Sequence, residues 1–419
     1  MEYIVLKGQN RLAGEVNING AKNAAVAIIP AALLVNDICV IDNLPNVEDI
    51  YCLIDMLTRL GAKCEFRDRH CLVIDSRGLT FQPATYESVM KIRASYYLLG
   101  MMLGRFKKAE VALPGGCNFG TRPIDQHIKG FEALGAKVTI EHGMVKAVAD
   151  ELVGTNIYMD VVSVGATINI MLAAVYAKGV TVIENAAKEP HIVDTANFLN
   201  KLGAKIKGAG TDVIKVTGVE KLSGGEYTII PDQIEAGTYM IAAAVTHGDV
   251  IVKNIIPKHM DSLSAKLQEM NCQIEEGDDY IRVTAGHNLV GVNLKTMSYP
   301  GFPTDLQPQM SALLSTCNGD TSVITETVWD NRFQYVNELK RLGCNITVEG
   351  RVAVIEGASC LTGAEVKATD LRAGAALIIA GLASSGETKI SNVKYIDRGY
   401  EDVENKLKSL GANIRRIEE

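Results

Sequence analysis

The stretch LGAKCEF (Leu60–Phe66) returns along the chain as LGAKVTI (Leu134–Ile140), LGAKIKG (Leu202–Gly208), MNCQIEE (Met270–Glu276), LGCNITV (Leu342–Val348) and LGANIRR (Leu410–Arg416). The spacings are 74, 68, 68, 72 and 68 residues. A chain of 419 residues is therefore six copies of one unit of about 70 residues, longer than the usual solenoid repeat. Each copy closes an amphipathic helix such as VEDIYCLIDMLTRLGA or YEDVENKLKSLGA. Apolar positions recur there at three and four residues, and the glycine stands where a C-cap belongs.

The rest of the unit follows in both directions. Two strands come after the helix, as in KCEF…HCLVID and CNITVEG…VAVIEG. Ahead of it lies a short β-rich run: ICVIDNL, AEVALPG, VTVIENA, DVIVKNI, TSVITET and TKISNVK. Ahead of that is a helix of small apolar residues: AKNAAVAIIPAALLVND, RASYYLLGMMLGRF, GATINIMLAAVYAKG, EAGTYMIAAAVTHG, TDLQPQMSALLSTCNG and TDLRAGAALIIAGLASSG. A helix apolar nearly all round must be buried on every side. An open solenoid has no place for one in each unit, so the pattern predicts compact α/β globules with helices inside and sheets outside. Six units divide into two domains of three. The carboxy-terminal half stops at ANIRRIEE, one strand short, and the opening EYIVLKG and AGEVNING need partners. The opening segment is expected to complete the second domain, so that the chain crosses between domains twice.

Composition narrows the function. The chain is 47% hydrophobic and 22% charged, ordinary for a globular protein. A net charge of −7 without a basic run speaks against a nucleic-acid binder. The opening MEYIVLKGQN is no signal peptide, and the apolar run Ala24–Val35 contains a proline and is too short to span a bilayer. The nine cysteines include no C-x-x-C pair, which fits a reducing cytoplasm better than a disulfide framework or a zinc ribbon. The seven histidines have no ligand spacing, and neither a P-loop nor a G-x-G-x-x-G is present.

The polar residues that interrupt the repeat gather at helix starts. Lys22 and Asn23 open the first buried helix, Arg93 the second, Asp305 the fifth, and Asp370 with Arg372 the sixth; Ser163 stands just before the third. Arg122, Arg332 and Arg398 begin or precede amphipathic helices. Helix N-termini favour anions, and a guanidinium fork matches carboxylate and phosphate. Each residue alone also has a plain reading: TDLQ and TDLR are ordinary capping sequences, and an arginine at a helix start is commonly a solvated ion pair. Cys117 lies in LPGGCNFGTRP, between glycines and five residues before Arg122, where a thiol has little to pack against. The other eight cysteines fall mainly in the repeat's strands and helices and read as packing. Together these residues describe a cleft between the domains that faces anionic ligands.

At this point the segments NGAKNAA, LPGGCNFGTRPIDQHIKGFEALGA, PGFPTDLQPQ, ITETVWDNRF, TDLRAGAAL and IDRGYE identify a resemblance. Over essentially the whole chain they resemble the UDP-N-acetylglucosamine 1-carboxyvinyltransferases, the enolpyruvyl transferases that open peptidoglycan synthesis in cell-wall biogenesis. The resemblance implies two inside-out α/β barrel domains, each of three β-α-β-α-β-β repeats, joined by a double crossover. It sets the domains at 23–230 and at 1–22 plus 231–419, with the active site in the cleft. It implies transfer of the enolpyruvyl group of phosphoenolpyruvate to the 3′-hydroxyl of UDP-N-acetylglucosamine, with release of phosphate, by addition and elimination. No cofactor or metal is expected, nor a nucleic-acid or membrane partner.

The resemblance also implies roles. Cys117 is the proton donor and the residue alkylated by fosfomycin, and Asp305 is the base at the sugar hydroxyl. Lys22, Arg122 and Arg398 surround the phosphate of phosphoenolpyruvate, and Arg332 and Arg372 its carboxylate. Asn23 and Asp370 lie near the reacting centre, and Asp370, Lys22 and Arg398 count with Cys117 and Asp305 as catalytic. Arg93, the run Arg122, Pro123, Ile124, Asp125 and Gln126, and Ser163, Val164 and Val328 contact the nucleotide sugar, together with Asn23 and Asp305. Some relatives carry a lysine before SVGAT; here Val161 stands in MDVVSVGAT. Competing readings are the shikimate-pathway enolpyruvyl transferase, which uses no loop cysteine in this role, a catalytically silent binding protein on the same fold, and an RNA-processing enzyme of related topology.

Overall fold

The structure is a computed structural model of the chain and describes residues 2–89, 93–113 and 124–419. Two compact units emerge. One joins residues 2–19 to 231–419, and the other holds the described residues of 20–230. Each has its own hydrophobic core. The boundary falls three residues before the expected one. Ala21 donates its N–H to the carbonyl of Ile230 at 2.7 Å, and Lys22 begins a buried helix of the 20–230 unit, so both go with that unit.

The repeat predicted from the sequence is visible in every sheet. In the third copy Asn156–Tyr158 runs parallel to Val180–Glu184, which pairs antiparallel with Val213–Thr217, and that strand pairs antiparallel with Lys205–Lys207. Four other sheets have the same order. In the sixth, the strands Lys108–Ala112, Met144–Val148 and Lys137–Glu141 are joined by a single parallel bridge from Ala84 to Val111 in the first position. The expectation about the amino terminus is met by register. Glu2–Lys7 lies between Glu387–Ser391 and Asn413–Glu418, antiparallel to both, in the place other copies fill from their own hairpin.

The crossings follow the same logic. Ala13–Asn17 runs parallel to Asp249–Lys253, yet the chain continues from it into helix Lys22–Ala31 of the other unit. Gly225–Thr228 runs parallel to Ile38–Asp42, and the chain continues from it into helix Gln233–Val245. Each unit thus receives its first buried helix from a strand that belongs to the other.

Within each unit the predicted apolar helices are buried. Helix Gln307–Leu314 is buried at every residue, and Gln233–Val245 at every residue after the first. Helices Tyr97–Phe106 and Val164–Ala174 approach closely because Gly100 and Gly104 leave no Cβ between them. A Cβ at Gly100 would lie 2.3 Å from the carbonyl oxygen of Asn169. The repeated C-cap explains the quoted motif. Gly61, Gly135, Gly203, Gly343 and Gly411 all take positive φ between 93° and 107°, and in the fourth copy Asn271 takes φ 69°. Asparagine tolerates the left-handed region best after glycine, so the one departure in sequence keeps the geometry. The cysteines conform less uniformly: Cys39, Cys71, Cys272, Cys317 and Cys344 are buried, but Cys360 sits exposed in a loop and does not pack. No described helix is long and apolar enough to cross a membrane.

Candidate active site

In the 2–19/231–419 unit, three of the predicted residues come together. Asp305 lies in the short 3-10 turn Thr304–Leu306 that leads into helix Gln307–Leu314. Its Oδ1 meets Arg332 at 3.2 Å and its Oδ2 meets Arg372 at 3.0 Å. Both arginines are buried, with side chains 4% and 7% exposed, while Asp305 is 29% exposed. One half-buried carboxylate is therefore shared between two guanidiniums that have left water. Charge-assisted bonds of this kind are about twice as strong as neutral ones, and the residual positive field of two cations on one anion suits a second anion.

Local structure fixes both arginines. Arg332 starts the 3-10 turn Arg332–Tyr335 and also donates to the carbonyl of Thr304 at 3.0 Å. Arg372 stands in the first turn of helix Leu371–Ala383, its guanidinium 5.9 Å from the ring centroid of Tyr400. The Tyr400 hydroxyl joins Thr238 Oγ1 at 2.8 Å and accepts from Gln309 Nε2 at 3.2 Å. Burial works against the charge on Arg372, but Asp305 and the groups around it more than compensate, so its pKa is raised. Burial raises the Tyr400 phenol, and Arg372 pulls it back.

Asp370 behaves differently. It is the N-cap of helix Leu371–Ala383, with Oδ1 accepting from the backbone N–H of Arg372 at 2.8 Å and of Ala373 at 3.1 Å. Arg398 follows the 3-10 turn Val393–Tyr395 and is half-buried.

The 20–230 unit carries two further groups. Lys22, the first residue of helix Lys22–Ala31, pairs with Asp49 at 3.0 Å; the side chains are 14% and 5% exposed. Asn23 beside it is half-buried. Gln126 opens a second cluster. Its Nε2 donates to Asp125 at 2.8 Å, and its Oε1 accepts from the backbone N–H of Asp160 at 2.9 Å. Ile124, Asp125 and Gln126 are thereby brought to the segment that ends at Ser163. Ser163 caps helix Val164–Ala174 by accepting from Ala166 N–H at 3.3 Å. His127 packs on the same helix turn, its Nε2 3.1 Å from where a Cβ at Gly165 would stand, and Nδ1 meets Asn169 Nδ2 at 3.0 Å. Burial pushes this imidazole down to about 4, so it is neutral at pH 7. Val162 and Val164 flank Ser163, and Val161, two residues before it, is exposed.

Cys117, Arg122 and Pro123 lie outside the described residues, and Arg93 is described only as the start of the 3-10 turn Arg93–Tyr96. Among the described residues no group of three or more His, Cys, Asp or Glu is placed to hold a metal ion. Sequence reasoning missed Asp49, Glu326, Tyr400 and His127. A signal existed only for Asp49 and Glu326: an acid in the first turn of an otherwise amphipathic helix, and an acid at the end of the β-rich run TSVITET.

Comparisons with known proteins show the family. The chain matches the family model of EPSP synthase (3-phosphoshikimate 1-carboxyvinyltransferase) over residues 6–407. It is 61% identical over 417 residues to UDP-N-acetylglucosamine 1-carboxyvinyltransferase 2 of Clostridium acetobutylicum, covering 99% of each chain. It is 57% identical to the UDP-N-acetylglucosamine 1-carboxyvinyltransferase of Clostridium botulinum over the full length of both. Among solved structures it superposes on the enolpyruvyl transferase NikO from Streptomyces tendae with a TM-score of 0.88 at 26% identity over 99% of each chain. EPSP synthase from Acinetobacter baumannii superposes with a TM-score of 0.77 at 19% identity over 100% of each chain, a likeness of fold alone. With the family model matched from the first strand to the last amphipathic helix and relatives this similar along their whole length, the chain belongs to the enolpyruvyl transferase family of EPSP synthase and the UDP-N-acetylglucosamine 1-carboxyvinyltransferases.

Proposed function

We propose that this enzyme transfers the enolpyruvyl group of phosphoenolpyruvate to the 3′-hydroxyl of UDP-N-acetylglucosamine and releases phosphate, as a cytoplasmic step of peptidoglycan synthesis. The observation that carries the proposal at the level of residues is the Arg332–Asp305–Arg372 arrangement. The donor substrate brings a carboxylate and a phosphate. A reaction that adds a hydroxyl across its double bond needs cations for both groups, a base for the hydroxyl proton and an acid for the methylene carbon.

In this reading Arg332 and Arg372 receive the carboxylate, and Lys22, Arg122 and Arg398 the phosphate. The incoming carboxylate competes with Asp305 for the two guanidiniums. Each contact it gains loosens their hold on Asp305, which then faces the sugar hydroxyl as base. Asp305 is the more exposed member of the trio, so it has room to turn. Cys117 gives its proton to the methylene carbon, forming the C–H bond as the sugar oxygen bonds to C2. Elimination then returns a proton from that carbon and expels phosphate. Asn23 and Asp370 border the reacting centre. Gln126, Ser163 and Val164, with Arg93, Pro123, Ile124 and Asp125, hold the nucleotide, the helix N-terminus at Val164 facing its diphosphate. Val328 contacts the sugar.

Mass analysis of the products tests the reaction. With phosphoenolpyruvate and UDP-N-acetylglucosamine the nucleotide sugar gains an enolpyruvyl ether; with shikimate 3-phosphate as acceptor no enolpyruvyl product forms. Product from shikimate 3-phosphate alone would assign the chain to the other branch of its family. Fosfomycin adds a test of the thiol: an adduct on Cys117 supports its role, and an adduct on another cysteine removes it.

A further inference from the structure

Glu326 is 1% exposed, a carboxylate taken out of water at the end of strand Thr321–Thr325. All its hydrogen bonds come from neutral donors. Oε1 accepts from the backbone N–H of Val328 at 2.8 Å and of Trp329 at 3.0 Å, and Oε2 accepts from Thr304 Oγ1 at 3.0 Å. Burying a charge on neutral partners costs stability that a leucine there would not. The arrangement joins two segments that are distant in sequence. One is the turn Thr304–Leu306 that carries Asp305; the other is the loop from Val328 towards Arg332. The loop is pinned again beside it. Thr327 N–H donates to Thr296 Oγ1 at 2.9 Å, and the backbone N–H of Glu326 donates to the carbonyl of Arg351 at 2.8 Å.

We propose that Glu326 is a positioning residue for the acceptor substrate, tying the turn that carries Asp305 to the loop that carries Val328. The need for it follows from the competition at the arginines. When the substrate's carboxylate draws Arg332 and Arg372 away, Asp305 loses those two contacts. The Thr304–Glu326 bond does not involve the arginines and keeps the turn in place. This inference rests on the reading of Asp305 as base.

The test compares Thr304→Val, Glu326→Gln and Glu326→Ala with Asp305→Ala in steady-state phosphate release, varying each substrate in turn. Glu326→Gln stays close to wild type, because its amide oxygen still accepts from Val328 and Trp329, and its NH2 donates to the Thr304 hydroxyl. Thr304→Val and Glu326→Ala lower kcat and raise KM for the nucleotide sugar, together lowering kcat/KM about ten- to a hundredfold, the scale of one lost bond to a charged group. KM for phosphoenolpyruvate moves less. The Thr304→Val/Glu326→Ala double variant falls no further than Glu326→Ala, because the Thr304–Glu326 bond that Thr304→Val removes is already gone there. Wild-type kcat and KM in Thr304→Val, with Asp305→Ala inactive, would overturn the inference and leave the proposed function standing. So would equal losses for Glu326→Gln and Glu326→Ala, which would mean that charge rather than position matters. Wild-type turnover in Asp305→Ala would remove the reading beneath it. Thr304→Val and Glu326→Gln keep the test valid even if the alanine variant folds poorly.

Discussion

Thr304-Asp305-Leu306 and Thr369-Asp370-Leu371 are the same tripeptide at the starts of two buried helices in one unit. Asp370 turns inward to its own helix and accepts from two backbone N–H groups. Asp305 reaches two arginines, one of them 67 residues away in sequence. The N–H groups of Arg372 and Ala373 are already taken by Asp370, whereas an anionic substrate can compete with Asp305 for its guanidiniums. Asp370 is held by its own helix, and Asp305 by side chains that a substrate can draw away.

The largest expected effect separates the two by one substitution. Asparagine caps helices as well as aspartate does, but it is no base. Asp305→Asn lowers kcat by about 10²–10⁴-fold, the usual worth of a general base, with little change in thermal midpoint. Asp370→Asn keeps its midpoint. If Asp370→Asn loses as much turnover as Asp305→Asn, the cap also takes part in chemistry and the contrast fails.

Acid can confuse that comparison, because turnover is also lost when the protein unfolds. His127 is held at about 4 by burial. The unfolded state, near pKa 6.5, therefore binds the extra proton between pH 6.5 and pH 4, and stability falls as pH drops through that window. A 2.5-unit shift corresponds to about 3 kcal/mol at full protonation. Asp194 works in the opposite sense: burial raises it to about 6, so the folded state gains a proton first as pH falls from about 6 towards 4. Denaturant unfolding of wild type and His127→Gln from pH 7 to pH 4 separates these terms. An unchanged pH slope in His127→Gln would show that the imidazole is not the source.

Arg372→Ala comes next. It leaves Asp305 with Arg332 alone and removes one cation from the donor's carboxylate. KM for phosphoenolpyruvate rises, and kcat/KM for that substrate falls by about 1.5–3 kcal/mol, roughly ten- to a hundredfold. An equal rise in KM for the nucleotide sugar would contradict the assignment. The smallest effect is Asp370→Ala, which loses the cap and costs about 1 kcal/mol of stability, read as a lower denaturation midpoint.

The fold was legible because its signals are local and repeated. The motif closing each amphipathic helix marks a left-handed C-cap in every copy, and the count of strands predicted that the opening segment would complete the second domain, where Glu2–Lys7 fills its last sheet. The contrast between the two aspartates was not legible. TDLQ and TDLR carry the same capping signal, and what distinguishes them is which arginines tertiary packing brings to each. Glu326 and Tyr400 escaped for the same reason: Thr304 is 22 residues from the first, and Thr238 is 162 residues from the second. The Cys117 segment is distinctive in sequence, but its role rests on resemblance, since it lies outside the described residues.

The most direct measurement is phosphate release from phosphoenolpyruvate by the wild-type enzyme, Asp305→Asn and Asp370→Asn, each with and without UDP-N-acetylglucosamine. The account predicts release by wild type only when the nucleotide sugar is present, release slowed about 10²–10⁴-fold by folded Asp305→Asn, and substantial release by Asp370→Asn. Release by wild type without the nucleotide sugar, or wild-type release by Asp305→Asn, would contradict it.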